Sequence, residues 1–140
     1  MTPILSLSDD ARMTAGVLLL AIVAVEFGGT YLLRVVRGSH SVTPFQRSFA
    51  RAGHAHAGVL VLLALVCQIF TDAADLSGLQ ETLARSGVAS AAILMPAGFF
   101  LSSRGRGRTE PDRFILLVWI GAAVLAAGVV SLGLGLLASV

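Results

Sequence analysis

Lysine is absent from this 140-residue chain: all ten basic residues are arginines, set against eight acids. Charged residues of both signs amount to 13% of the sequence, about half the share found in soluble domains, which leaves too few to surround a globule with a hydrated surface. Cysteine occurs once, at Cys67, so no internal disulfide can form; set in an apolar run, it says little about redox compartment. Catalytic signatures are also missing. There is no Ser-His-Asp or Cys-His arrangement, and Gly105 and Gly107 sit in an arginine-rich loop without the strand and helix that a phosphate-cradling motif requires. The first ten residues carry Asp9 and Asp10 in place of a basic n-region, so no cleaved signal peptide is expected. Internal repeats and low-complexity tracts are not evident.

What the chain has is apolar length. Hydrophobic residues make up 56% of it and the mean hydropathy is +0.86, the composition of a polytopic membrane protein. The sequence predicts an all-α, four-helix transmembrane bundle forming one domain, with spans at about 11–36, 52–70, 83–101 and 114–138. Ser8 or Asp9 serves as the N-cap of the first span, and Arg34 and Arg37 close its far end. Between the second and third spans, Asp72, Asp75 and Glu81 accompany Leu76, Leu79 and Leu83 at helical spacing, which reads as a short interfacial helix. The third span is the shortest, and Pro96 is expected to kink it.

Eight of the ten arginines lie in two short stretches, Arg34, Arg37, Arg47 and Arg51 around the first loop and Arg104, Arg106, Arg108 and Arg113 around the third. Arg12 and Arg85 are the only ones on the opposite side. The positive-inside rule therefore places loops 38–51 and 102–113 in the cytoplasm and both termini outside the cell membrane. Basic residues distributed in this way are orientation signals, so no nucleic-acid partner is expected. The expected partners are the lipid bilayer and, from the many glycines and alanines, a second copy or a larger membrane complex.

Three side chains inside these spans carry potential chemistry. Glu26 interrupts an apolar segment, at an insertion cost of roughly 2.5–3.5 kcal/mol unless it faces protein or water, which marks it as a proton or ligand site. His54 and His56 open the second span within Phe49-Ala-Arg-Ala-Gly-His-Ala-His-Ala-Gly58, and depth counted from the flanking arginines brings Glu26 within reach of one of them. Residues two apart on a helix diverge by about 200°, so the two histidines do not readily ligate one metal; no metal site is assigned. One histidine is expected to face the bundle and the other a neighbouring helix, headgroups or a partner. A stripe of Gly53, Ala57 and Ala64 is expected to meet another helix. The purely structural roles are hydrogen bonds from the histidines to loop carbonyls and from Glu26 to Thr30 or Ser90, with Met95 serving as packing.

The Phe49-x-Arg51-x-x-His54-x-His56-x-Gly58 pattern resembles the start of a haem-ligating helix in the catalytic subunit of haem-copper oxidases and nitric oxide reductases. The resemblance covers about ten residues and implies haem as cofactor, with His54 as ligand and Arg51 as the arginine that precedes it. That family's subunit has some twelve helices, whereas the other spans here contain no histidine. In size and helix layout the chain also resembles small uncharacterised four-helix membrane proteins of bacteria, a likeness that implies no activity. Three readings stand. The chain is a non-catalytic accessory or assembly-type membrane protein with a polar His/Glu site, the reading that agrees best with its lack of catalytic machinery. Alternatively, it is a haem- or metal-binding redox protein using His54, with a second ligand from His56, Met95 or another protomer. The third reading is a proton-coupled small-solute carrier, acting as an oligomer, in which Glu26 and a histidine relay protons.

Overall fold

Helix starts in this chain are written in capping residues, and the computed structural model, which describes residues 6–74 and 76–139, shows them in use. Ser8 accepts a hydrogen bond from the Ala11 amide at 3.2 Å and opens α1 (Asp9–Val36), whose first turn carries Asp9 and Asp10 against the positive end of the helix dipole. Thr43 opens α2 (Pro44–Ala73) with a reciprocal capping box to Gln46, and Pro44 occupies the first turn, where its missing N–H costs nothing. The third helix, α3, spans Gly78–Ser102, and α4 spans Leu116–Ala138 after a single 3-10 turn capped by Asp112. Among the described residues these four helices are each long and apolar enough to cross a membrane, and they form an all-α bundle.

Two boundaries differ from expectation. The second helix begins at Pro44, eight residues before the predicted start at 52, because the proline lies at a cap and initiates the helix instead of breaking the chain. The third helix is continuous from Gly78, so Leu79, Glu81 and Leu83 of the stretch expected as an interfacial helix lie in its first turns while Asp72 belongs to α2, and Pro96 lies inside α3 without ending it. Asp75, counted with the acids of that stretch, lies outside the described residues.

The helices pack in chain order, α1 on α2, α2 on α3 and α3 on α4, with a smaller contact between α2 and α4. Close approach is set by small residues. At the α3–α4 crossing, a β-carbon on Gly87 would come within 2.9 Å of the Gly128 Cα, so the two backbones touch. Gly121 lies against Met95, which is buried as packing, and Gly98 lies against Val118 and the Leu117 backbone. Ala64, Ala84, Val88 and Ala91 are fully buried between the helices. Large apolar side chains point the other way: Leu20, Phe27, Ile93 and Leu137 are exposed on the outside of the bundle. A protein that buries alanine and exposes phenylalanine and leucine is built for a lipid solvent.

Both arginine-rich loops lie at one end. Thr43 donates its hydroxyl proton to the Arg108 carbonyl, and the Gln46 amide donates to the Ser103 and Gly105 carbonyls at 2.9 and 2.6 Å, joining the two. The opposite end is held by Asp72, which accepts from the Ser8 amide at 2.8 Å and from Arg85 at 2.7 Å, tying α1, α2 and α3 together.

Candidate functional site

On α1 the residues turned toward α2 follow the helical period, Leu18, Val25, Gly28, Gly29 and Val35 falling within one arc at about 100° per residue. His54 of α2 fills the space that two missing side chains leave on this arc: a β-carbon at Gly28 would lie 3.5 Å from its Nδ1, and one at Gly29 3.5 Å from its Cε1. The imidazole is half-buried and makes no hydrogen bond among the described residues. His56, about 200° around α2, faces α3 instead. Its Nδ1 lies 2.7 Å from the Ala52 carbonyl and its ring lies against Phe99, centroids 5.0 Å apart, at the end of an aromatic row with Phe49 and Phe45. The expected division of the two histidines between different neighbours is therefore present, with α1 and α3 as the neighbours.

Glu26 is not joined to either. It lies about 160° from Gly28 and about 60° from Gly29 around α1, its side chain is exposed, and it forms no hydrogen bond or ion pair among the described residues. Thr30, the alternative partner, donates its hydroxyl to the Phe27 carbonyl at 2.7 Å. Residue counting puts Glu26 and the histidines at comparable levels, but Glu26 is exposed, to one side of the Gly28–Gly29 face that receives His54. With α2 starting at Pro44, His54 lies about 15 Å along the helix from its first residue. Arg51 is exposed on the outer face of α2.

These residues do not fit a haem held by two ligands of a single chain. His56 faces away from His54, with its ring against Phe99, and Met95 is buried against Gly121 in the α3–α4 interface. Among the described residues no three His, Cys, Asp or Glu side chains cluster as a metal site would need.

The histidine does border a cavity. Because α1 packs chiefly on α2, an open groove of about 600 Å³ runs between α1 and α3 with α2 as its floor. Its lining is mostly small or apolar, with Ala21, Gly28, Ala57 and Ala89 among it, and Asp10, Thr14, His54, Arg85, Ser86 and Ser90 as polar points along it. Of the expected small-residue stripe, Gly53 and Ala64 are buried, Gly53 against Phe99 and Phe100, whereas Ala57 faces this groove.

At one end of the groove lies the polar cluster that sequence reasoning passed over. Arg85 reaches Asp72 at 2.7 Å and Glu81 at 3.1 Å, and the side chains of the Arg85–Asp72 pair are only 12% and 14% exposed. Gln68, fully buried, donates to the Arg85 carbonyl at 2.8 Å. A signal was present in the sequence: Glu81 and Arg85 stand at i, i+4 in the favourable order, as do Gln68 and Asp72 on the facing helix. A charged pair this well enclosed holds the chain in register more than it offers chemistry.

No protein-family model, curated protein or solved structure matches this chain. The site therefore rests on geometry alone.

Proposed function

We propose that the chain is a non-catalytic membrane protein of the accessory or assembly type, which receives a further transmembrane helix in the groove between α1 and α3. The observation that carries this reading is the isolation of α1, of whose apolar window only 6% is buried, beside a groove in whose lining five alanines and Gly28 stand among larger apolar side chains. Small residues let a helix approach closely, and His54 and Ser90 supply hydrogen-bonding groups of the kind that join helices in lipid. The incoming helix comes from a second copy or from a larger membrane complex. A chain of four helices encloses little pathway, and the separation of Glu26 from the histidines leaves the carrier reading without a proton relay. In the bilayer of the cell membrane, the joined arginine loops face the cytoplasm and the termini the outside, as the charge bias requires.

Crosslinking tests this. With Cys67 replaced by serine, single cysteines at Val17 and Ile93 on the groove and at Leu137 away from it are crosslinked in native membranes. Adducts at positions 17 and 93 well above those at 137 are expected, and their mass distinguishes a second copy from another protein. Equal yields at all three positions would show that the groove holds only lipid. Reporter fusions at either terminus test the orientation, and cytoplasmic activity there would invert it. A haem absorption band in the purified protein would replace this reading by one in which His54 is an axial ligand and the second ligand comes from a partner.

A further inference from the structure

The end of the bundle that carries the arginines is concave. A second cavity, of about 650 Å³, opens between the C-terminal end of α1, the first loop, the start of α2 and the turn after α3; Tyr31, His40, Gln46, Arg104, Gly105 and Arg106 are among its lining. No carboxylate lines it, and among the described residues neither Arg104 nor Arg106 has an acidic partner, whereas Arg108 nearby is paired with Asp112 at 3.5 Å. Arginines that served only to orient the chain would need no cavity between them.

The turn itself is built to present donors. Gln46 takes up the carbonyls of Ser103 and Gly105, and Gly105 and Gly107 adopt positive φ of 103° and 67°. The peptide N–H groups of Gly105, Arg106 and Gly107 donate to no group among the described residues. Successive free N–H groups in such a turn favour an anion, and Arg104, whose guanidinium lies 4.8 Å from the Phe114 ring, lines the same cavity. His40 borders the other side, its ring edge-on to Tyr31 with centroids 5.6 Å apart. The geometry points to a binding site for a phosphate-bearing anion in this cavity. At the polar edge of a membrane bundle, an anionic phospholipid headgroup supplies that chemistry, and a free phosphate ester supplies it from solution.

The whole chain in detergent is titrated with phosphatidylglycerol and, separately, with phosphatidylcholine of the same acyl chains, and binding is read by native mass spectrometry. Removing two cations that line a headgroup site weakens anionic-lipid binding by about tenfold or more. That loss is expected for the Arg104→Gln/Arg106→Gln pair. The Arg34→Gln/Arg37→Gln pair, which removes the same charge at the same end but outside the cavity, is expected to lose less than about threefold. Since Arg104 also lies over Phe114, Arg106→Gln alone is the second variant, expected to keep the fold and still to weaken phosphatidylglycerol. Displacement of the lipid by inorganic phosphate would identify a soluble ester as the natural ligand, and no displacement would identify the headgroup. Equal losses from the two arginine pairs, or phosphatidylcholine bound as tightly as phosphatidylglycerol, would overturn the site.

Discussion

Replacing Gly87 by alanine tests the packing that sets the bundle. The new β-carbon would lie 2.9 Å from the Gly128 Cα, 3.0 Å from the Val124 carbonyl oxygen and 3.2 Å from the Gly128 nitrogen, all backbone atoms that no rotamer change can move. Ordinary contact begins near 3.4 Å, so α3 and α4 must part by about half an ångström at their crossing, enough to forfeit a sizeable fraction of the dispersion energy there. Overpacking of this kind costs about 1–3 kcal/mol, and the better helix propensity of alanine returns up to about 1, leaving a net loss of about 1–2 kcal/mol. Gly128→Ala meets the Leu83 carbonyl at 2.9 Å and should cost as much. The double variant should cost less than the sum, because both methyl groups occupy one gap that need open only once. Gly133→Ala, in the same helix with no atom within 4 Å, is the reference and should be neutral or slightly stabilising. Unfolding by sodium dodecyl sulfate in mixed micelles, followed by far-ultraviolet circular dichroism, gives these differences. Gly87→Ala unfolding together with Gly133→Ala would refute the backbone contact at the crossing.

Other substitutions probe other parts of the molecule. Arg85→Ala strands Asp72 at a position where its side chain is 14% exposed and should cost about 3–5 kcal/mol in the same assay, while Arg12→Ala, whose partner Asp9 is exposed, should cost at most about 1. Ala57→Leu should leave stability within about 1 kcal/mol, because the longer side chain enters the open groove, but it should abolish the crosslinks expected at Val17 and Ile93; destabilisation as large as that of Gly87→Ala would mean that the groove is closed. In a double-mutant cycle of Glu26→Gln with His54→Ala, the effects should add within about 0.5 kcal/mol, since His54 of α2 packs against Gly28 and Gly29 while Glu26 is exposed and forms no hydrogen bond with it; coupling beyond that would restore a joint site.

Much of the architecture is decided by local chemistry and was legible without coordinates. Ser8 caps the first helix as expected, four apolar runs become four helices, and the arginines mark two loops, because capping, hydropathy and charge act through neighbouring residues and the solvent. Local reading failed where a distant residue decides. Gly78–Thr82 falls outside the expected span, yet it is the start of α3, next to Arg85, which finds its counter-charge on Asp72 of another helix. Pro44 falls within the expected loop 38–51, yet it starts α2, because Thr43 and Gln46 close a cap around it. The placement of Glu26 shows the same limit. Residue counting gives depth along a helix, but the rotation of α1 is set by Gly28 and Gly29 accepting the His54 ring, a fit between two surfaces that neither segment carries alone. The groove and the arginine-lined cavity likewise arise only when α1 leans on α2 and the turn after α3 is pulled toward Gln46, because a concavity belongs to the arrangement of helices and to no stretch of sequence.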